Sequence, residues 1–199
     1  MNRTICLLVV SLIIINLLGC AHPPVVETVQ SGELRERAQS FIKDLNTEVK
    51  GRLGKAIKNS GYSGAVIMAN KQGGYTIASE MMKQNEGLII RRVSFKNRNP
   101  NNIPDAYESR ILHLMEKDHA NGTLKVYYED FATTSGEKAY KYMEPIIIKE
   151  LCLHCHDTKD AIDPEVLVQI KRLYPNDKAL DYKTGDLRGA IFVTLPVSQ

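Results

Sequence analysis

The sequence lacks a strong excess of charge of either sign. It has 26 lysine and arginine residues against 23 acidic residues, which gives a formal net charge of +3 at pH 7. Proteins that bind nucleic acid usually carry a marked basic excess along one face, so no nucleic-acid partner is predicted. The sequence also lacks internal repeats, and its length suits one domain with a sizeable core.

Long hydrophobic runs are absent except at the N-terminus. Residues Ile5 to Leu18 are apolar apart from Ser11 and Asn16, and Arg3 precedes them. A run this short after a basic residue is typical of an export signal rather than of a membrane span. The sequence therefore predicts that the protein leaves the cytoplasm.

The apolar run ends in Leu17-Leu18-Gly19-Cys20, which is similar to the bacterial lipoprotein box. In that box the cysteine is lipidated and the chain is cleaved before it. We predict a lipoprotein signal peptide over residues 1–19, Cys20 as the lipid anchor and a short tether over residues 20–32. An ordinary secretory signal with an incidental cysteine is the alternative. Both place the protein in the cell envelope, and we expect a lipoprotein facing the periplasm.

Cysteine is scarce, and each of the four thiols has a predicted use. Cys6 is removed with the signal, and Cys20 takes lipid. Cys152 and Cys155 belong to the segment Leu151-Cys152-Leu153-His154-Cys155-His156. No thiol is then left for a disulfide or as a ligand of an iron.

The segment contains Cys-x-x-Cys-His, the attachment sequence of c-type haem. Two thiols at this spacing add to the two haem vinyl groups, and the following histidine binds the iron. We predict that Cys152 and Cys155 hold haem c covalently and that His156 is the proximal iron ligand. His154, between the thiols, is expected to face solvent.

A redox dithiol and a zinc site are the alternative interpretations. A thioredoxin-like Cys-x-x-Cys needs no following histidine and is expected at a helix start after a strand, which the polar, histidine-rich surroundings here do not suggest. A zinc site needs four ligands, and the exported chain has no second pair of thiols. Haem attachment is the favoured interpretation.

Hydrophobic periodicity predicts both helices and strands. Apolar residues recur every three or four positions from Leu34 to Ile57, as in an amphipathic helix whose stripe is a core face or a homodimer seam. Asn59-Ser60-Gly61 is predicted to end this helix. Further helices are predicted over residues 65–84, with an interruption at Gly73-Gly74, and over residues 105–120 and 164–173. Strands are predicted over residues 88–95, 123–132, 139–148 and 189–195, and the second and third of these are expected to form an antiparallel hairpin. The pattern indicates an α+β fold.

Four sequence blocks occur in order along the chain. They are Arg92-x-Ser94-x-Lys96-x-Arg98-Asn99-Pro100-x-Asn102-x-Pro104-Asp105-x-x-Glu108, Tyr142-Met143-Glu144-Pro145-Ile146, Tyr174-Pro175-x-Asp177-x-Ala179, and Gly185-Asp186-Leu187-Arg188-Gly189-Ala190. Together with the haem motif they resemble a family of bacterial periplasmic c-type haem domains with a PAS-like fold. The resemblance implies one domain over residues 33–199, with haem held against an antiparallel sheet of about five strands. It implies no settled biochemical activity.

The distal side of the iron departs from the family pattern. Relatives often carry a distal cysteine in a short apolar segment, but the matching segment Gly64 to Asn70 has no thiol. Met68 is the candidate replacement, because a thioether commonly pairs with histidine in c-type cytochromes; its alternative role is helix packing. His113 and His119 are further candidates, and an open sixth position is the last.

Arg92, Arg98 and Arg188 lie in the family blocks and are candidates for binding the haem propionates. A buried carboxylate needs a charged or amide donor. The alternative, to which the sequence gives equal weight, is that these arginines form structural ion pairs with loop acids such as Asp105 and Glu108.

Three functional classes follow from a haem in this setting. Sensing of redox state or of a diatomic gas needs a partner protein, because no transmitter, kinase or cyclase segment follows Gln199. Periplasmic electron transfer needs only an anchored haem with a suitable potential. A haem enzyme needs an acid–base group over an open iron, and no such pair can be picked out. We place sensing first, electron transfer second and catalysis third.

Overall fold

The computed structural model describes residues 25–134 and 137–197. The predicted signal peptide over residues 1–19 and the lipidation site Cys20 lie outside these ranges. Residues 25–32, which were predicted as part of the tether, are helical. Within the described ranges, no helix has both the length and the apolar composition needed to cross a membrane.

The long first helix, α1 over Val25–Gln72, bends where the sequence predicts a helix end. Ser60 and Gly61 leave helical geometry, with φ of −146° and +62°. Glycine adopts the left-handed φ without steric cost, so the chain changes direction there. The second predicted helix is split as expected: Gly73 separates the end of α1 from α2, Gly74–Gln84.

Four strands form one antiparallel sheet in the part of the chain that the structure describes. They are β1 Ile89–Val93, β2 Tyr128–Thr134, β3 Glu137–Ile147 and β4 Leu187–Pro196, in the order β1-β4-β3-β2. The β2–β3 hairpin was predicted, although β2 begins later than expected. The α+β class with a long N-terminal helix is confirmed, with four described strands where about five were expected.

Three further α-helices and a short 3₁₀ helix, Pro100–Asn102, complete the fold of the described residues. The α-helices are α3 Ala106–Ala120, α4 Glu150–His156 and α5 Pro164–Leu173. At the start of α3, Asp105 and Glu108 exchange hydrogen bonds of 2.8 Å between side chain and backbone N–H, which satisfies two otherwise unpaired N–H groups. The fully buried Glu108 carboxylate also lies 3.3 Å from Arg91. These acids therefore have structural roles at the helix start.

The sheet separates two apolar cores. One face packs against α1 and α2, and the apolar stripe of α1 belongs to this core. The other face packs against α3. The first core includes Leu34, Ala38, Ile42, Leu45, Ile90, Tyr140, Tyr142, Ile191 and Val193, and the second includes Val93, Ile111, Leu112, Met115 and Phe192.

A β-bulge at the start of β4 changes which face receives each side chain. The register with β3 shifts there, and Gly189 has a φ of +145°. Side chains alternate along a regular strand, so Leu187 would share a face with Ile191. Instead Leu187 packs in the α3-side core, and Arg188 lines a cavity on the α1 side. The bulge thus directs Arg188 toward the cavity.

Gly189→Ala is expected to destabilise the protein strongly. An added Cβ would lie 2.2 Å from the carbonyl oxygen of Val93, and the positive φ adds backbone strain, so we expect a loss of about 3 kcal/mol in the free energy of unfolding. Gly122→Ala is the matched control, because Gly122 has a φ of +71° with nothing within 4 Å. Its expected loss is about 1 kcal/mol. Equal losses in urea unfolding would contradict the steric explanation.

Candidate functional site

A cavity of about 640 Å³ lies between the sheet and helices α1, α2 and α4. Its floor is a row of paired neighbours on β1, β4 and β3, namely Arg92, Ile191 and Glu144. The volume is within the range of pockets that hold cofactors and other small molecules. The lining side chains that carry chemistry are Met68, Arg92, Arg98, Glu144, Cys152, Cys155, His156 and Arg188.

The Cys-x-x-Cys-His segment lies in α4, which begins soon after β3 ends. Cys152 and Cys155 are free thiols that line the cavity, and burial raises the pKa of the Cys155 thiol. A redox dithiol is expected at the start of a helix that follows a strand, and α4 does follow β3. The sequence did not suggest this placement. Polar residues on the outer face of a short helix resemble a loop in the sequence, which explains the error. The histidine and the cavity still favour a cofactor site.

His156 is held in one chemical form. Its Nδ1 donates a hydrogen bond of 2.7 Å to the carbonyl oxygen of Ala179. A carbonyl only accepts, so Nδ1 carries the proton and Nε2 keeps a free lone pair. Burial, followed by the positive charges of Arg98 and Arg188, lowers the pKa of His156 well below its usual range. A neutral, oriented imidazole is the form in which histidine binds a metal.

Arg98 lines the cavity, but its guanidinium is already bonded. It forms two hydrogen bonds to the carboxylate of Asp177, at 3.1 and 2.9 Å, and donates to the carbonyl oxygens of Cys155 and Ala179, at 2.6 and 3.3 Å. The Arg98 and Asp177 side chains are 13% and 6% exposed. This arrangement corresponds to the structural alternative that the sequence left open for Arg98.

Arg92 and Arg188 lack a carboxylate partner among the described residues. Arg188 donates through Nη1 to the Ser94 hydroxyl and the Lys96 carbonyl oxygen, but its buried Nε has no partner. The Arg92 guanidinium forms no hydrogen bond with a described residue. Burial and the like charge of Arg188 lower the pKa of Arg92 to about 10. The guanidinium groups of Arg92 and Arg188 can therefore pair with an anionic group bound in the cavity.

Met68 lines the cavity from the part of α1 that follows the bend. In the same part of the helix, the ring of Tyr62 stacks on that of His154, with centroids 3.9 Å apart. His154 is exposed, as expected, and this contact ties the haem motif to α1. Met68 is thus placed in the same cavity as His156.

The other two candidates for the distal ligand do not line this cavity in the described chain. His113 stacks on Phe95 and bonds to Glu116 at 3.2 Å. His119 donates to the carbonyl oxygen of Gly185 at 2.8 Å. Both histidines lie on α3, which packs against the opposite face of the sheet.

Sequence reasoning gave no role to the groups that surround His156. These are the Ala179 carbonyl and the ring of Tyr182, which contacts the His156 ring edge-on. The ammonium of Lys96 lies 4.1 Å from the centre of the Tyr182 ring. The role of a backbone carbonyl cannot be recognised from residue types. The only available signal was that Asp177-x-Ala179 belongs to one of the family blocks.

Comparisons with known proteins agree with the geometry. The family model described as Tll0287-like matches residues 28–196. Among solved structures, the crystal structure of the cyanobacterial heme-protein Tll0287 matches with 25% sequence identity and a TM-score of 0.61, covering 84% of this chain and 97% of that chain. No curated protein gives a match. Because the family model spans most of the sequence, the chain belongs to the Tll0287-like family.

Proposed function

We propose that this chain is an exported haem protein that senses redox state or a diatomic gas. The observation that carries the proposal is the cavity, in which two thiols and a neutral, oriented histidine lie together with Arg92 and Arg188, which have no carboxylate partner in the part of the chain that the structure describes. Membership of a family with a cyanobacterial relative described as a heme-protein supports haem as the ligand.

The side chains present fit a covalently bound haem. When bound, haem supplies an iron that changes between ferric and ferrous states. Cys152 and Cys155 would hold it through two thioether bonds, and Nε2 of His156 would bind the iron. Arg92 and Arg188 offer donors for the propionates. The apolar side chains of the cavity lining include Val49, Leu53, Ile57, Ala65, Ile146 and Ile191.

Covalent attachment predicts that the protein, expressed with a cytochrome c maturation system, keeps its colour through denaturation and acid-acetone extraction. Its mass should then exceed that of the acylated peptide by one haem. The double variant Cys152→Ser/Cys155→Ser should lose this mass, because neither thioether bond can form. His154→Ala is the matched control, since it changes the motif without removing an attachment group. A colourless wild-type protein of peptide mass would contradict the proposal.

Periplasmic electron transfer is the second candidate function. The observation that favours it is the position of Met68 in the same cavity as His156. A thioether opposite a histidine raises the reduction potential and closes the sixth position. An open position instead permits binding of a diatomic gas.

If Met68 binds the ferric iron, the protein should show the weak near-infrared band of sulfur-to-iron charge transfer, and Met68→Ala should abolish it. Met81→Ala is the control, because Met81 is half-buried on α2 and packs in the core. Persistence of the band in Met68→Ala removes Met68 as a ligand.

Carbon monoxide added to the reduced wild-type protein distinguishes gas sensing from electron transfer. A spectrum unchanged at neutral pH contradicts gas sensing, whereas a changed spectrum contradicts a closed iron.

We also propose that Cys20 anchors the protein to a membrane, facing the periplasm. The support is the Leu-Leu-Gly-Cys sequence at the end of the apolar run. Cys20→Ala should move the protein from the membrane fraction to the soluble fraction. Cys6→Ala is the control, because Cys6 lies within the predicted signal. Membrane retention of the Cys20→Ala protein would show that lipid on this cysteine is not the anchor.

A further inference from the structure

The carbonyl oxygen of Ala179 accepts two hydrogen bonds, from His156 Nδ1 at 2.7 Å and from Arg98 Nη2 at 3.3 Å. The segment that carries Ala179 connects α5 to β4 and contains neither helix nor strand. Backbone hydrogen bonds hold the loop on either side of Ala179, from Lys178 to the carbonyl oxygen of Asn97 and from Tyr182 to that of His156. The Ala179 carbonyl oxygen itself takes part in no regular backbone pairing, and its two donors are side chains.

Arg98 and Asp177 support the Ala179 carbonyl. The Arg98 guanidinium donates to the Cys155 carbonyl oxygen in α4 and to both oxygens of Asp177 in the loop. One oxygen of Asp177 also accepts from the backbone N–H of Ala179, at 2.9 Å. The planar guanidinium thus joins the haem-motif helix to the loop, and the carboxylate fixes both the guanidinium and Ala179. Because both side chains are largely buried, water competes weakly for these bonds.

We propose that Arg98 and Asp177 are positioning residues for the axial histidine. They hold the Ala179 carbonyl so that His156 keeps its proton on Nδ1 and a fixed ring direction. Sharing the oxygen with a cation also weakens the bond that it accepts from the imidazole, which limits the basicity of the ligand. This inference rests on the proposed haem function.

The test uses the full-length, haem-loaded protein with Arg98→Lys and Asp177→Asn. Lysine keeps the charge, but its single ammonium lacks the fork that contacts four acceptor oxygens, and asparagine keeps the shape of aspartate without its charge. The measurement is the set of electron paramagnetic resonance g values of the ferric iron, which report on axial-ligand orientation and basicity. Both variants should shift these g values, although only one of them changes the formal charge.

Arg52→Gln is the matched control. Arg52 also makes several guanidinium bonds, to Glu48, Glu80 and the Gln72 carbonyl oxygen, but it does not line the cavity. Its loss should leave the g values unchanged. Urea unfolding, measured alongside, shows any loss of stability, which by itself does not move g values.

Two negative outcomes are distinguishable. Haem-loaded Arg98→Lys and Asp177→Asn proteins with wild-type g values overturn this inference alone. A wild-type protein without haem overturns the proposed function and the inference together, and haem content is measured before the variants are compared.

Discussion

His156 donates a hydrogen bond through Nδ1 to the carbonyl oxygen of Ala179, 23 residues later in the sequence. The chemistry of the cavity depends on this bond, because it places the lone pair on Nε2 and restricts the ring. The surrounding cations act in the same direction, since they disfavour a second proton on the imidazole. The imidazole is therefore kept neutral and fixed in direction.

A second constraint comes from the positively charged side chains that line the cavity. A buried guanidinium without an anionic partner lowers stability, and a chain selected for stability alone would pair or replace it. Arg92 and Arg188 lack a carboxylate among the described residues, and the β4 bulge moves Arg188 to the side of the sheet where the cavity lies. Departures of this kind from local rules are typical of functional sites. An anionic group that enters the cavity would find donors already in place.

Several elements follow local signals and were predictable from the sequence. The helix over residues 164–173 was predicted with the bounds of α5, because Pro164 suits a first helical turn and the apolar residues recur at helical spacing. Gly61 and Gly73 interrupt the helices where expected. The helix that carries the haem motif was not predicted, since its polar outer face hides the periodicity. The register of the strands and the position of the bulge could not be predicted from the sequence either, because they depend on pairing between distant strands.

The sequence by itself determined the chemistry that depends on neighbouring residues: the paired thiols, the adjoining histidine, the export signal as a prediction, and the α+β class. Only the tertiary structure decided which of the three arginines is paired with a carboxylate, which face Arg188 occupies, and which candidate ligands share a cavity with His156. The physical reason is separation along the chain. Arg98 meets Asp177 across 79 residues, and the spacing of side chains within one segment carries no information about such contacts.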